Sequence, residues 1–328
     1  MSSILIATRG SALALAQANM VLAQCQAAFP KIQFELKIIK TTGDKLQTAS
    51  LAQEGQNLPK GLFTKELEIA LLEKRADLAV HSLKDLPTEL PTGLTLGAVS
   101  KRADVRDVLL YRDASASKES SSAPSGRAYP PDLKIDELPP GAVVATSSTR
   151  RRAQLLVLNP KLQAPDIRGN VLTRIQKLAQ KAELDGTILA LAGMTRLKYR
   201  ITSSGQLEGE NVPRAILASI LDIAVMLPCV GQGAIGLEIR QGDQRIADVC
   251  RQLNDDQTFQ CVTAERAFLA GMGGGCQSPV AAYAEVREAN LYMRAVSFAT
   301  GPVRRAEATR PLGQAIDLGG QLATELRG

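Results

Sequence analysis

The sequence predicts an α/β protein with two units of alternating strands and helices and a third, smaller α+β unit. The chain has 328 residues, which favours two or three domains over one. Apolar runs typical of strands alternate with helix-forming stretches in the first part of the chain and again in its middle. The C-terminal part instead predicts a helix, then several strands in succession, then a last helix.

The first unit starts with a strand, a turn and a helix. Ser11 is the predicted N-cap of that helix, so Arg9 and Ser11 lie at a helix N-terminus. Because two strands joined by a helix normally pair in parallel, we expect a parallel sheet. The predicted elements are, in order, strand 4–7, helix 12–28, strand 34–39, a helix that contains Phe63, Leu67, Ala70 and Leu71, and strand 77–81.

The second unit repeats this pattern after a strand at 106–112. The stretch 113–131 is rich in Ser, Ala and Pro, and its composition is typical of a disordered loop, so it is assigned no structure. The glycines of segment 230–233 mark a point where the chain crosses between units. The other predicted elements of this unit are a strand from Val143 to Thr146, helices from Thr149 and from Asn170, and a strand at 187–191.

The third unit follows a strand at 234–239 and a helix at 243–253. A glycine-rich turn within it ends at Cys276. The remaining predicted elements are a helix at 256–270, strands near 280–286, 291–298 and 304–309, and a last helix after Pro311. This order predicts a small α+β domain.

Composition narrows the class of function. Lys and Arg outnumber Asp and Glu by 39 to 33, and a net charge of +6 favours an anionic partner. Aromatic residues make up only 3% of the chain, so it lacks the stacking platform that single-stranded nucleic acid needs, and a polycarboxylate or phosphate fits better. No segment approaches the roughly 20 apolar residues of a membrane span and the N-terminus has no signal-peptide pattern, so we expect a cytoplasmic protein without membrane contact.

Histidine and cysteine usage argues against a metal site. The chain has one histidine, His81, and five cysteines without a CxxC pair, so we expect neither a metal centre nor a disulfide framework. Four of the cysteines, Cys25, Cys229, Cys250 and Cys261, are interpreted as packing residues.

Basic side chains cluster near predicted strand ends and helix starts. Segment 147–151, Ser-Ser-Thr-Arg-Arg, combines two guanidinium groups with a helix N-terminus, whose free N–H groups and partial positive charge attract anions. The segment therefore predicts a cradle for a carboxylate or phosphate. For any single arginine, the alternative is an ordinary solvated surface.

Two further positions could carry chemistry. Asp85 follows the predicted strand 77–81, at the edge where α/β proteins tend to build sites, although aspartate is also common in turns without a function. Cys276 follows three glycines, which can present its thiol on an exposed loop; a small buried cysteine in a tight turn is the alternative.

Seven segments together resemble the porphobilinogen deaminase family. They are Ile-Ala-Thr-Arg-Gly-Ser at 6–11, Lys-Gly-Leu-Phe-Thr-Lys-Glu-Leu-Glu at 60–68, Ala-Val-His-Ser-Leu-Lys-Asp-Leu-Pro at 79–87, Thr-Ser-Ser-Thr-Arg-Arg at 146–151, Arg-Gly-Asn-Val-Leu-Thr-Arg at 168–174, Val-Gly-Gln-Gly-Ala at 230–234 and Gly-Gly-Cys-Gln at 274–277. Their order and spacing span nearly the whole chain, and the combination is far more specific than any one segment.

The resemblance implies a fold. Two lobes similar to periplasmic binding proteins would enclose the active site in their cleft, and a third small α+β domain would carry the cofactor cysteine. On this chain we expect the first lobe at 1–101 plus 234–252, the second at 106–228 with the Ser-rich loop 113–131, and the third domain at 256–328.

The resemblance also implies a reaction. A dipyrromethane cofactor, joined to Cys276 by a thioether, would prime the head-to-tail condensation of four porphobilinogen molecules with loss of ammonia, and hydrolysis would then release hydroxymethylbilane. A thiolate is a suitable nucleophile for the electrophilic methylene carbon that the attachment requires. A monomeric enzyme and transfer of the product to uroporphyrinogen-III synthase are further implications.

The resemblance assigns roles to individual residues. The implied catalytic residues are Asp85, Lys84 and Arg9. At about 4 Å from a cationic intermediate and a dielectric near 20, the Asp85 carboxylate would contribute about 4 kcal/mol, or about three powers of ten in rate. The implied cofactor-binding residues are Cys276, Ser11, Lys84, Asp85, Thr146, Ser147, Ser148, Arg150, Arg151, Arg174 and Gly275. The implied substrate-binding residues are Arg9, Ser11, Lys60, Phe63, Arg168, Asn170, Arg174 and Gln232.

Some features depart from the family, and two other functions remain as alternatives. Segment 52–60 differs from the family's shorter loop, which leaves the role of Lys60 open, and Thr149 replaces a more usual apolar residue. One alternative is a non-catalytic, two-lobed anion-binding protein. The other is a nucleic-acid-binding protein, whose affinity would fall steeply with salt. Neither accounts for Asp85 together with the glycine-rich cysteine segment.

Overall fold

The computed structural model describes residues 3–41, 64–115, 127–274, 278–299 and 301–327. Four predicted site residues therefore lie outside the described residues: Lys60, Phe63, Gly275 and Cys276.

Fourteen strands and eight α-helices lie within these described ranges. The strands β1 to β14 are Ile4–Arg9, Phe34–Ile39, Leu78–Ser82, Leu94–Val99, Asp107–Arg112, Val144–Ala145, Gly186–Ala190, Arg200–Ile201, Leu207–Glu208, Ile216–Ile220, Ile235–Arg240, Val280–Arg287, Asn290–Ser297 and Arg304–Pro311. The helices α1 to α8 are Ala12–Ala28, Lys65–Leu72, Thr149–Leu158, Val171–Gln180, Leu191–Arg196, Gln244–Leu253, Asp256–Gly271 and Ala315–Arg327.

The first sheet has five strands in the order β2-β1-β3-β11-β4. Strand β1 pairs in parallel with β2 and β3, which confirms the predicted βαβ pattern, whereas β11 runs antiparallel to β3 and β4. Side chains alternate between the faces of a strand. Ile6 and Val80 therefore pack under α1 and α6 on one face, and Ala7 and Ala79 pack under α2 on the other.

The second sheet has the order β10-β5-β7-β6 and carries the Ser-rich stretch at its margin. The assignment of no structure to 113–131 is wrong at both ends of that stretch, because Asp113 forms a β-bridge with Tyr129. The Tyr129 ring is buried against Tyr111, and its hydroxyl donates to Asp185 Oδ1 at 2.8 Å. Residues 116–126 lie outside the described residues.

The third sheet is the antiparallel meander β12-β13-β14. Helices α7 and α8 cover one of its faces, where Phe268, Leu291 and Leu322 are buried together. The predicted fold class, α/β with a smaller α+β part, is confirmed, while the proposed domain boundaries stay a prediction. Within the described ranges, no helix is both long and apolar enough to cross a membrane.

The chain passes between the first and second sheets twice, through residues 100–106 and 221–234. The two passages touch at Gly233, which has φ +86°, and a Cβ there would lie 2.6 Å from the Ala103 carbonyl oxygen. Glu265 of α7 fastens both passages to the third sheet. Its carboxylate accepts from Arg102 Nη1 at 2.6 Å and from the backbone N–H groups of Gly231 at 2.8 Å and Ala284 at 2.9 Å.

Candidate active site

Asp85 lies where two cavities meet. Strand β3 ends at Ser82, and residues Leu83–Asp85 then form one turn of 3-10 helix whose Leu83 is buried, so that Asp85 is turned outward and exposed. The Asp85 side chain lines a cavity of about 180 Å³ and a second one of about 60 Å³. Among the residues that the structure describes, no other lines both.

The smaller cavity lies at the N-terminus of α1. Ser11 caps this helix as predicted, and its hydroxyl accepts from the Ala14 N–H at 3.3 Å. Arg9, at the end of β1, lines the same cavity. The buried Gln17 side chain forms part of its wall and accepts a hydrogen bond from Ser82 Oγ at 2.9 Å.

The larger cavity lies at the N-terminus of α3. The helix begins at Thr149, as predicted, and its N-cap is Ser148, whose hydroxyl accepts from the Arg151 N–H at 3.4 Å. Lys84, Ser148, Arg150, Arg151 and Gln232 line this cavity, and the third sheet's side contributes Leu269, Ser278 and Val280.

Two predicted site residues support the N-cap from behind instead of lining either cavity. Thr146 is buried, and its Oγ1 accepts from the Ser148 N–H at 3.2 Å. Ser147 Oγ donates to the Ile167 carbonyl at 2.9 Å and accepts from the Ile167 N–H at 3.0 Å.

Asp107 holds the two predicted anion-binding arginines from within. Arg150 Nη1 donates to Asp107 Oδ2 at 3.0 Å, and Arg151 Nη2 donates to Oδ1 at 2.7 Å. Gln232, which is 1% exposed, donates to the same Oδ1 at 2.8 Å. Burial alone would raise the pKa of Asp107, but the charges of Arg150 and Arg151 outweigh it and hold that pKa well below its usual range.

The sequence analysis did not single out Asp107. Its partners stand 43 and 44 residues later in the chain, so only the fold brings them together. The usable signal was a carboxylate directly before the apolar run 108–111, because a buried charge needs a partner. Much of the guanidinium surface of Arg150 and Arg151 is thus engaged with protein groups, although both residues line the larger cavity.

Helix α4 contributes a further arginine. Arg174 Nε donates to the Gly169 carbonyl at 2.8 Å. Burial lowers the pKa of Arg174, and the positive charge of Arg151 lowers it further. The negative charge of Asp85 raises this pKa, so Arg174 is close enough to interact electrostatically with Asp85. Asn170 caps α4 by accepting from the Thr173 N–H at 2.9 Å, but it and Arg168 are exposed and line neither cavity.

The interpretation of four cysteines as packing residues is confirmed for three and wrong for Cys229. Burial raises the pKa of Cys25 to about 11, and those of Cys250 and Cys261 to about 12, which suits thiols in a core. Cys229 is only half-buried and lines the larger cavity, because the passage 221–234 runs along the cleft. Its Sγ donates to Gln232 Oε1 at 3.4 Å.

A third cavity, of about 740 Å³, is larger than these two, lies elsewhere and contains none of the predicted site residues. It borders β10, and its walls include Leu133, Ile201, Ile220 and Val225. The two smaller cavities, where cationic side chains and Asp85 converge, therefore form the candidate active site.

Two family models together match most of the chain. The model of the porphobilinogen deaminase, dipyromethane cofactor binding domain, matches residues 4–248. The model of the porphobilinogen deaminase C-terminal domain matches residues 259–328.

Curated relatives agree with these matches over nearly the full length. Porphobilinogen deaminase of Desulforamulus reducens is 40% identical over 98% of this chain and 94% of that protein. The Thermus thermophilus protein of the same name is 40% identical over 99% and 96%, and that of Syntrophus aciditrophicus is 42% identical over 98% and 94%. Among solved structures, the chain is similar to a probable amino-acid ABC transporter extracellular-binding protein of Bacillus subtilis, with a TM-score of 0.42. The sequence identity is 10%, and the match covers 77% of this chain and 90% of that one, which is a distant likeness. The chain belongs to the porphobilinogen deaminase family.

Proposed function

We propose that the protein condenses four porphobilinogen molecules head to tail, with loss of one ammonia each time, and then releases hydroxymethylbilane by hydrolysis. This is a transferase reaction of tetrapyrrole, porphyrin and heme biosynthesis. One observation carries the proposal. Asp85 is an exposed carboxylate between two cavities, one of which is lined by Arg9 and the other by Lys84 and Arg150. Membership of the family supports it.

The residues present fit a dipyrromethane cofactor, whose side chains are carboxylates. Arg174 is half-buried, and burial lowers its pKa, as described. A ligand carboxylate would stabilise its charged form and can bind a guanidinium group through two hydrogen bonds at once. The N-terminus of α3 adds hydrogen-bond donors beside the same cavity. When bound through Cys276, the cofactor supplies the free pyrrole carbon at which the chain grows.

Asp85 is the central catalytic group of this proposal. Its carboxylate accepts hydrogen bonds from pyrrole N–H groups, stabilises the positive charge that develops as ammonia departs, and takes the proton released from the reacting carbon. Lys84 and Arg9 flank it from the two cavities and are assigned as its catalytic partners.

The carboxylates of the cofactor and of the incoming substrate are assigned to residues in and around both cavities. The proposed cofactor-binding residues are Cys276, Gly275, Ser11, Lys84, Asp85, Thr146, Ser147, Ser148, Arg150, Arg151 and Arg174. The proposed substrate-binding residues are Arg9, Ser11, Lys60, Phe63, Arg168, Asn170, Arg174 and Gln232. Thr146, Ser147 and Gln232 act through the groups that they hold in place.

The wider setting of the reaction is also proposed. We infer a cytoplasmic, monomeric enzyme that passes its product to uroporphyrinogen-III synthase. The lobes that enclose the cleft are assigned to 1–101 plus 234–252 and to 106–228, and the domain with the attachment cysteine to 256–328.

Intact mass of the denatured protein tests the covalent part of this proposal. The wild type is expected to carry an excess equal to two porphobilinogen units less two ammonias, and Cys276→Ser to carry none. Cys229→Ser is the matched control, since Cys229 lines the larger cavity and should leave the excess unchanged. An excess that is lost with Cys229 would move the attachment site. A wild type that acquires no adduct even with added porphobilinogen would favour an anion-binding protein.

Substitution of Asp85 tests the catalytic part. Asp85→Asn is expected to lower kcat about 10³-fold, because the variant loses a charge interaction of about 4 kcal/mol with the cationic transition state. The measurement is ammonia release from porphobilinogen, with thermal unfolding to verify the fold. Asp248→Asn, an exposed aspartate on α6, is the control and should retain wild-type turnover. Wild-type turnover in Asp85→Asn would refute the role of Asp85.

A further inference from the structure

A buried acid–base cluster lies behind the smaller cavity, and the reaction as described does not use it. The cluster consists of His81 on β3, Glu238 on β11 and Glu68 on α2, which are 5%, 0% and 7% exposed. His81 Nε2 and Glu238 Oε2 are 2.9 Å apart. Ionisable side chains buried this fully are costly unless they serve one another or a function.

The fold brings the three side chains together from distant parts of the sequence. In the antiparallel pairing of β3 with β11, Glu238 stands opposite Ala79. Because Ala79 and His81 are two residues apart on one strand, His81 and Glu238 share the face that α2 covers. The small side chains of Ala7 and Ala79 on this face leave room for polar groups between the sheet and the helix.

Two carboxylate oxygens of the cluster accept no hydrogen bond from the described residues. Glu68 Oε1 and Glu238 Oε1 are both buried without a hydrogen-bond partner among the described residues. Burial raises the pKa of Glu68; the hydrogen bond from Thr64 opposes this rise, and the nearby Glu238 carboxylate adds to it. Two buried carboxylates lie close to one imidazole, so three side chains that can each carry a proton meet in one buried place.

The same imidazole reaches the cavity that holds Asp85. His81 lines the cavity of about 60 Å³ together with Asp85, Arg9 and Ser11. A volume of about 10–15 Å³ already holds one water molecule, so this cavity can contain a short hydrogen-bonded path. The charged or titratable groups that face His81 are Glu238 from β11, Glu68 from α2, Arg9 from β1 and Asp85 from the turn after β3.

We propose that His81, backed by Glu238, is a second proton carrier, which takes from Asp85 the proton that each condensation releases. The inference rests on the proposed function. In each condensation the C–N bond of the substrate's protonated aminomethyl group breaks and ammonia leaves, a C–C bond forms at the pyrrole carbon, and the C–H bond there breaks with transfer of its proton to Asp85. His81 accepts this proton across the smaller cavity and yields it to the departing ammonia, which leaves as ammonium. Both residues then regain their starting states.

His81 exchanges its proton with Asp85 in this scheme and does not touch the reacting carbon. It is therefore a positioning residue that acts through Asp85. A carboxylate behind an imidazole fixes the ring's orientation and stabilises its protonated form. Glu238 supplies this support, and Glu68 lies close enough to interact electrostatically with both His81 and Glu238.

A single histidine makes the proposal directly measurable. His81 is the only histidine in the sequence, so ¹⁵N-histidine labelling of the untagged holoenzyme yields ring signals from one residue. The ring's protonation equilibrium at fixed pH is expected to change at least about three-fold in Asp85→Asn, because one nearby charge is lost. Addition of porphobilinogen to the wild type should also alter the ring signals. Identical ring signals in the wild type and Asp85→Asn would overturn the proposal.

Kinetics of His81→Gln and Glu238→Gln supply the second readout. We expect kcat to fall about 10²-fold in His81→Gln, with KM within about three-fold and a pH profile of changed shape. A purely structural role would lower kcat by the same factor at every pH, and that result would overturn the proposal. Glu73→Gln, an exposed carboxylate at the end of α2, is the control.

Ammonia release by the wild type and the pH profile of His81→Gln distinguish failure of the proposed function from failure of the proton-carrier role. If wild-type protein releases no ammonia from porphobilinogen, the proposed function fails. If it does so and His81→Gln keeps the wild-type pH profile, only the proton-carrier role fails. Should the His81→Gln variant not fold, the ring signals of the wild type and Asp85→Asn still decide the question.

Discussion

Two buried polar clusters border the same cleft, and the pKa of a buried carboxyl group is lowered in one of them and raised in the other. Around Asp107, one carboxylate accepts from Arg150, Arg151 and Gln232, and its pKa is held low. Around Glu238, two carboxylates share one imidazole, two oxygens have no partner among the described residues, and the pKa of Glu68 is raised. Burial favours the neutral acid in both places, so the number of cationic partners decides the result. The first cluster favours the ionised form of Asp107, and the second favours the protonated form of Glu68.

The largest expected effect comes from breaking the first cluster. Asp107→Asn leaves two buried guanidinium groups without their counter-ion, so we expect the free energy of unfolding to fall by about 3–5 kcal/mol. Urea unfolding followed by circular dichroism measures it. Asp166→Asn is the control, because Asp166 pairs with Arg152 at an exposed position and should cost about 0–1 kcal/mol. Equal costs for the two variants would show that Asp107 is not the anchor inferred here.

Acid titration of stability gives a smaller effect with a defined sign. The pKa of Asp107 is lower in the folded than in the unfolded chain, so its stabilisation is fully present above the unfolded value of about 3.9. The stabilisation is lost as pH falls through the folded value. We expect the stability difference between wild type and Asp107→Asn to be constant near neutral pH and to shrink below about pH 4. A difference that is unchanged at pH 3 would contradict this assignment.

The smallest effect on stability is expected from Glu68→Gln in the second cluster. The raised pKa of Glu68 means that the folded chain binds its proton more tightly than the unfolded chain does. Its stabilisation is therefore present below the unfolded value of about 4.3 and is lost as pH rises through the folded value. Glu68→Gln, which mimics the protonated acid, should change stability by less than about 1.5 kcal/mol and gain relative to wild type as pH rises from about 4 to 7. A large loss at neutral pH would show that the ionised carboxylate is structural.

Local signals in the sequence predicted much of this architecture. Ser11 was predicted as an N-cap and is one, and the predicted helix starts at Thr149 and Asn170 lie within one residue of the observed starts, where Ser148 and Asn170 are the caps. Asp85 could be placed after β3 because its position depends on the strand next to it. Such features require only a few neighbouring residues.

Features that depend on distant partners were not predictable in the same way. Strand β4 joins the first sheet only through β11, which comes far later in the chain. The sequence near β4 does not indicate this pairing. Tyr129 stands alone in a Ser-rich stretch, and its partner Asp185 is 56 residues away. Cys229 looked like a packing residue because nothing in the sequence shows that segment 221–234 runs along a cavity.

The double passage of the chain between the first and second sheets constrains how the cleft can move. The two passages, at 100–106 and 221–234, lie side by side and form a double-stranded hinge between the first and second sheets. Such a hinge lets the two sheets change their angle to each other and resists their twisting. The cleft can therefore widen by a change of angle without sliding one wall past the other. Arg9 follows the first sheet's β1 and Ser148 precedes α3 of the second unit, so a change of this angle would alter the distance between the two cavities' cationic linings.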